Sequence, residues 1–442
     1  MTAVSPGDQP TLRPSLGLTH ATAMVVGTII GASIFVQPSE ITRQLPSVGA
    51  IVAAWVAAGL LTIAGALVSA ELASAFPQTG GVYIFLKEAF SPAAGFLWGW
   101  AMLWSMHSGI IAAIAVVFAR YLGVFVPLGD TGLRVAAVAL ILGLSAVNIA
   151  GVRHGGRVQN VFTAAKLAAI VVLVAAGVGW SAQLPPAAVS TAPVTAHGLI
   201  LAVAAGLFAY GGWHMVTYTA GETIDAARTI PRALLIGTVV VTACYAGLNA
   251  IYLRVLPLDA VRASSHVAAD AAQALFGAAG AKIVAGLVLV STFGAVNGII
   301  LVGPRVYYSM ARDGLIFERL GAVHPRFRTP HVALALQAVV ASVLAATNTY
   351  GALFSRVVYT EWIFFAAMAW GLMRLRRRPS YRPSYRVPLY PVVPIVFIAA
   401  SLTIVATQVA AAPAASAIGL GLVLVGLPVY FLWSRDARRR LS

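Results

Sequence analysis

Along the chain the apolar positions repeat neither as a half-buried strand nor as the stripe of a surface helix. They form runs near twenty residues, parted by short polar breaks. A helix that crosses a bilayer core needs about 20 consecutive apolar residues. Divided at the breaks, the runs predict about twelve spans: Leu16–Glu40, Gly49–Ala75, Ala93–Tyr121, Leu133–Ile149, Val158–Val178, Ala196–Gly221, Pro231–Leu253, Ala279–Met310, Val332–Thr347, Leu353–Met373, Leu389–Ala411 and Ala414–Trp433. They are too long and too uniformly apolar for the strands of an outer-membrane barrel. The expected fold class is therefore an all-α polytopic membrane protein. Two segments, Phe76–Pro92 and Leu258–Gly277, are too polar or too short to cross and read as interfacial helices.

Two spans carry weak helix formers at mid-depth. "VVGTIIGASIFVQPSE" (Val25–Glu40) crowds Gly, Ser and Thr into the first span, and "GLFAYGGWHMVTYTAGE" (Gly206–Glu222) does the same in the sixth. A spanning helix breaks only where its freed N–H and C=O groups line a cavity or find a partner. Either cluster alone is explained as well by glycine-mediated packing, since Gly27 and Gly31 also fit the small-residue dimer motif. Two clusters about five helices apart point instead to discontinuous helices of an inverted-repeat transporter, meeting near the midplane.

Composition and charge support this picture. Of 442 residues, 60% are hydrophobic and only 10% charged, and mean hydropathy is +0.88. The net charge of +16 lies largely in alternate inter-helix segments: Arg153 and Arg157, Arg228 and Arg232, Arg319 to Arg328, Arg374 to Arg386, and the "SRDARRR" tail. Intervening segments such as "SAQLPPAAVSTAPVTAHG", "ATNTYGA" and "VAAAPAAS" have no Lys or Arg. That asymmetry predicts orientation, with both termini in the cytoplasm, and gives no ground for a nucleic-acid partner. The first fifteen residues show no signal-peptide pattern. The single cysteine, Cys244, sits in an apolar span and permits no intrachain disulfide.

"GTIIGASIF", "ELASAFPQTGGVYIFL", "FAYGGW", "IPRA" and "FGAVNG…RVYYSMARDG…HPRFRTPHVAL" occur in order from about Leu16 to the last helix. Together they resemble the amino acid–polyamine–organocation superfamily, and within it the bacterial L-type amino-acid transporters. The resemblance implies one transporter domain over residues 1–442: repeat one about 16–180, repeat two about 196–374, and two extra helices about 388–434. It further implies alternating access around a central amino-acid site. A zwitterion needs donors for its carboxylate and acceptors for its ammonium, which helix ends and unwound carbonyls supply. In the resembled family the N–H groups fall at Gly31, Ala32 and Ser33, and the carbonyls around Ile29, Phe208 and Ala209, with Tyr210 and Gly211 in the same turn. Phe208 matches the gating aromatic.

Lys166 is one of only three lysines and lies nine residues beyond Arg157. That is ~13 Å along a helix, against about 15 Å for half the hydrocarbon core. Its ammonium is thus expected near the midplane rather than among headgroups. In the family a lysine here stands where related symporters hold sodium and bridges the first and eighth helices, which implies sodium-independent transport. His214 replaces the usual Asn after "YGGW" and reads equally as a substrate-facing titratable contact or a hydrogen bond within the bundle, and Ala32 and Ser33 stand where Ser and Gly are common in the family. Asn297, Glu361 and Trp362 are further expected pocket residues, against the alternatives of helix–helix glue for Asn297, pairing with an Arg of another helix for Glu361 and plain packing for Trp362; His107 reads as a satisfied bundle histidine. Glu71 and Glu222 read as gate or loop-fixing carboxylates on the cytoplasmic side, structural rather than coupling.

No His/Cys/Asp/Glu constellation at ligand spacing appears, so neither an enzyme, a metal nor a cofactor is expected. No repeated filter loop suggests a channel. Sodium-independent exchange of neutral L-amino acids is the leading expectation; proton-coupled symport or export, including of cationic amino acids or amines, is the alternative. "YLGVFVPLGDTG", between the third and fourth spans, has no Cys, so no disulfide-linked partner subunit is expected and the chain reads as monomeric.

Overall fold

The computed structural model describes residues 14–31, 33–150, 155–181 and 193–439. Ala32 and Arg153, singled out above, lie outside the described residues. The chain runs α1 (Leu18–Ile29), a short 3-10 turn (Ser33–Phe35), α2 (Gln37–Gln44), α3 (Val48–Ala75), α4 (Val82–Ala89), α5 (Pro92–Trp104), α6 (Met106–Leu122), α7 (Asp130–Ala150) and α8 (Gly155–Ser181). It continues with α9 (Ala196–Ala209), a 3-10 segment (Trp213–Glu222), α10 (Ala226–Val255), α11 (Leu258–Ala263), α12 (Val267–Val302) and α13 (Pro304–Arg312). After a 3-10 turn (Glu318–Gly321) come α14 (His331–Thr347), α15 (Tyr350–Leu375), α16 (Val392–Ala411), α17 (Pro413–Leu424) and α18 (Gly426–Arg439). Ser47, Ser91, Thr195 and Thr349 open α3, α5, α9 and α15, each side-chain oxygen accepting from the N–H three residues on.

Among the described residues nine helices are long and apolar enough to cross a membrane. Leu18–Ile29, Thr163–Gly179 and His331–Thr347 are apolar but shorter. Several expected spans turn out to be pieces. The first ends at Ile29 and resumes after Ser33; the sixth ends at Ala209 and passes into the 3-10 segment. The third divides at Ser105 and the eighth at Gly303. The two interfacial expectations correspond to α4 and to α11 with the start of α12, which kinks at Gly277, where φ is 71°.

The halves of the broken helices pair with one another. α1 packs along the 3-10 segment Trp213–Glu222, and α2 along α9, while α8, α10 and α12 enclose α1. The lead into α1 is tied to the exit of the second break: Ser15 and Leu16 N–H donate to Glu222 O at 2.8 and 2.9 Å, and Ile224 N–H donates to Leu16 O at 2.9 Å.

At the end of the bundle carrying most arginines, ion pairs join early and late elements. The fully buried Glu71, on α3, accepts from Arg376 Nε at 2.8 Å, just past α15, and from Val387 N–H at 2.6 Å. This pairing holds the Arg376 guanidinium above its ordinary pKa, burial opposing it. Arg305 bonds Glu222 bidentately at 2.7 to 3.0 Å. Asp313 accepts from Lys87 Nζ at 2.7 Å and from the Tyr83 hydroxyl. Burial and that carboxylate keep Tyr83 protonated well above the usual phenol range. Glu71 and Glu222 thus fix loops and helix ends. The opposite end is not free of arginine: Arg262, on α11, donates to Thr42 O at 3.0 Å and Leu45 O at 3.3 Å, capping α2.

Candidate functional site

The two breaks face one cavity. It is lined by Thr28, Ile29, Gly31 and Ser33 from the first break and Phe208, Gly211 and Met215 from the second. Ile110 and Ile114 of α6, Ile299 of α12 and Glu361 of α15 complete the wall. The surface is apolar except for exposed backbone, two hydroxyl-bearing residues and one carboxylic acid. Ser33 opens the short turn Ser33–Phe35 at the edge of this cavity.

The carbonyls freed at the first break are met by side chains from two other helices. Lys166, on α8 and 5% exposed, donates to Ile30 O at 2.9 Å and reaches Gly27 O at 3.4 Å. Tyr245, on α10 and fully buried, has its hydroxyl 2.9 Å from Ile29 O and 3.0 Å from Ala209 O. A phenol carries one proton, so it donates to one break while contacting the other, joining both unwound segments through one atom. The Thr28 hydroxyl lies 2.7 Å from Met24 O and 3.2 Å from Gly212 O, a second link across the breaks. These bonds answer the demand that backbone groups opened in an apolar medium be satisfied.

The glycines differ in what they permit. Gly212 has φ of 99°, and a Cβ there would lie 2.8 Å from Thr28 O, so both conformation and space demand glycine. A Cβ on Gly31 would meet Ala295 and Ile114 at 3.5 Å, an ordinary contact. Gly31 matters as cavity wall, not as a steric necessity.

Of the expected site residues, Ile29, Gly31, Ser33, Phe208, Gly211 and Glu361 line the cavity. Ala32 lies outside the described residues. Ala209 contributes its carbonyl to Tyr245 rather than to the cavity wall. Tyr210 packs on Tyr245 and Trp55, at ring distances of 4.9 and 6.2 Å. His214 sits in a cage of Trp98, Trp213, Tyr218 and Phe365, with centroids 4.9 to 5.8 Å away. Trp362 packs against Phe365 and Phe397, away from the cavity wall. Asn297 accepts from Asn148 Nδ2 at 2.7 Å, joining α12 to α7. His107 is a satisfied bundle histidine: its Nε2 lies 3.0 Å from Ile299 O. Lys166 bonds the first helix as expected; among the described residues its bonds run to that helix and not to α12.

Sequence reasoning missed Tyr245, Thr28, Met215, Ile299 and the α6 pair Ile110 and Ile114. A tyrosine in the apolar middle of the seventh span was a usable signal for the first. The isoleucines carry none, because in a chain this apolar a cavity wall and a lipid face use the same residues.

The amino acid permease family model matches residues 16–428. The serine/threonine exchanger SteT of Bacillus subtilis is 32% identical over 424 residues, covering 95% of this chain and 97% of that protein. Human large neutral amino acids transporter small subunit 2 is 33% identical over 445 residues, covering 97% and 82%. Human Asc-type amino acid transporter 1 is 30% identical over 435 residues, covering 95% and 82%. With matches spanning nearly the whole chain, and with both helix breaks inside them, this all-helical chain belongs to the amino acid permease family of the amino acid–polyamine–organocation superfamily.

Proposed function

We propose that the protein is a secondary amino-acid transporter of the cytoplasmic membrane, working as a sodium-independent exchanger of small neutral L-amino acids. The observation that carries this reading is the cavity between two paired helix breaks, with the Lys166 ammonium on the carbonyls of the first. A tethered cation at those carbonyls takes the place that a mobile one would need, so exchange runs without sodium. The substrate's carboxylate is held by N–H groups of Gly31, Ala32 and Ser33, the Gly31 N–H leaving Ile29 O, to which it donates at 2.7 Å. Its ammonium exchanges with the Tyr245 hydroxyl for the carbonyls of Ile29 and Ala209, and with the Gly211 N–H for that of Phe208. Phe208 closes over it, and Ile110, Ile114, Met215 and Ile299 favour short uncharged side chains. Relatives named as a serine/threonine exchanger and as large neutral and Asc-type amino-acid transporters agree with this class.

In this reading the nine long spans and the three shorter apolar helices make twelve crossings, with repeats at about 16–180 and 196–374. The arginine-rich end faces the cytoplasm with both termini. Some relatives are named as small subunits. The third-to-fourth-span segment has no Cys and Cys244 is half-buried on α10, so this chain works without a disulfide-linked partner. Counterflow in proteoliposomes tests the mechanism. Internal serine is expected to accelerate labelled serine uptake equally in sodium and in choline buffer. Uptake that needs sodium, or proceeds as fast into empty vesicles, overturns it. A proton-coupled cycle is the second reading, favoured by Glu361 in the cavity wall; an imposed pH gradient driving net accumulation would select it.

A further inference from the structure

Glu361 is an exception in its surroundings. It lines the cavity, its residue is 6% exposed, and the other wall residues bear no formal charge. Among the described residues no Lys, Arg or His side chain forms an ion pair or hydrogen bond with it. The titratable groups on elements packed around it are otherwise engaged or distant along their helices. From α6 comes His107, bonded to Ile299 O. The 3-10 segment brings His214, caged by aromatic rings, and Tyr218, whose hydroxyl feels Glu361 electrostatically. Glu71 of α3 is paired with Arg376, and Lys87 of α4 with Asp313, both at the arginine-rich end. Glu88, the one carboxylate of α4, lies 3.9 Å from that lysine. α9 carries only His197 near its start, and α16 and α17 carry no charged residue. On α15 itself Arg356 lies five residues away, off the same face.

A carboxyl group in an apolar wall must be neutralised, and only a proton or an entering cation can do it here. We propose that Glu361 lets the cavity exchange a cationic side chain for a proton, a substrate class added to the exchange reading on which this inference rests. With the site open outward, a short cationic amino acid pairs its side chain with the carboxylate and one proton leaves Glu361 to the outside. After the cation is released inside, Glu361 takes a proton from the interior as a neutral amino acid binds, and both travel out. Each cycle moves one cationic amino acid inward and one neutral amino acid plus one proton outward, so no net charge crosses.

The test uses proteoliposomes loaded with L-serine and a lumenal pH dye, with labelled L-ornithine outside. Wild type should take up ornithine while the lumen turns alkaline, one proton per ornithine, at a rate unaffected by a potassium–valinomycin potential. Glu361→Gln should lower the ornithine-to-serine uptake ratio by about tenfold or more. An ornithine flux without the pH change, wild-type serine counterflow without ornithine uptake, or an unchanged ratio in the variant overturns the inference. Should the variant not reach the membrane, the wild-type lumenal record decides alone. Absence of serine counterflow by wild type overturns the exchange reading and this inference together.

Discussion

The two helix breaks do similar work by different means. The second is held sterically: Gly212 sits in the left-handed region with its missing Cβ against Thr28 O, and the turn is closed by Gly211 N–H donating to Phe208 O at 2.9 Å. The first is held by polar side chains sent from elsewhere, Lys166 to Ile30 and Tyr245 to Ile29. Gly31 there has ordinary room around it. A break fixed by its own glycine is stiff. One fixed by an ammonium and a shared phenol can let go when a substrate's ammonium competes for the same carbonyls. In the proposed exchange cycle the first break is the responsive half of the site and the second its abutment.

Substitutions can sharpen or break this contrast. The largest effect is expected at Gly212→Ala, which combines a disfavoured backbone region with a 2.8 Å clash. It should lose folded protein in detergent as well as transport, while Gly31→Ala keeps its melting temperature within a few degrees. Equal melting of the two variants removes the distinction. Lys166→Met comes next. Carbonyls opened in apolar surroundings cost about 1–3 kcal/mol each when orphaned, so exchange should fall by about a hundredfold with folding retained. Near-normal counterflow would end its role as the tether.

Tyr245→Phe removes one oxygen shared by both breaks at nearly constant volume. Its expected effect is about 1–2 kcal/mol, read as a roughly tenfold change in the exchange rate, larger than that of Gly31→Ala. An unchanged rate would mean the breaks are joined through Thr28 alone. The smallest effect belongs to His214→Asn, which restores the residue common in L-type relatives. Because His214 is caged by rings and does not line the cavity, the apparent substrate affinity should stay within about threefold. A larger shift in the competition profile would bring it back to the pocket.

How much of this was readable in the chain varies by element. The glycine clusters, the depth of Lys166 and the carboxylate of Glu361 stood out because each departs from what an apolar span contains. Helix boundaries were less visible: nothing in "WSMHSG" announces the division at Ser105, and nothing marks Gly303 as a place where His107 and Gln337 press against the backbone. Asn297, His214 and Trp362 were read as pocket residues from their position in motifs. Their side chains instead join helices or fill aromatic packing, since a motif fixes a residue's place along a helix but not the face it turns inward.

Sequence by itself determined the medium and the class of fold, because apolar length and charge asymmetry act segment by segment and need no partner to be felt. It also marked where two helices would break. Only the tertiary structure decided which atoms satisfy those breaks: Lys166, Tyr245 and Thr28 each bond a carbonyl far along the chain or on the other break, and such bonds depend on how helices pack. The same holds for Glu361. Its carboxylate was visible in the chain, but its position in the cavity wall, with no cation among the described residues paired to it, was set by the helices around it.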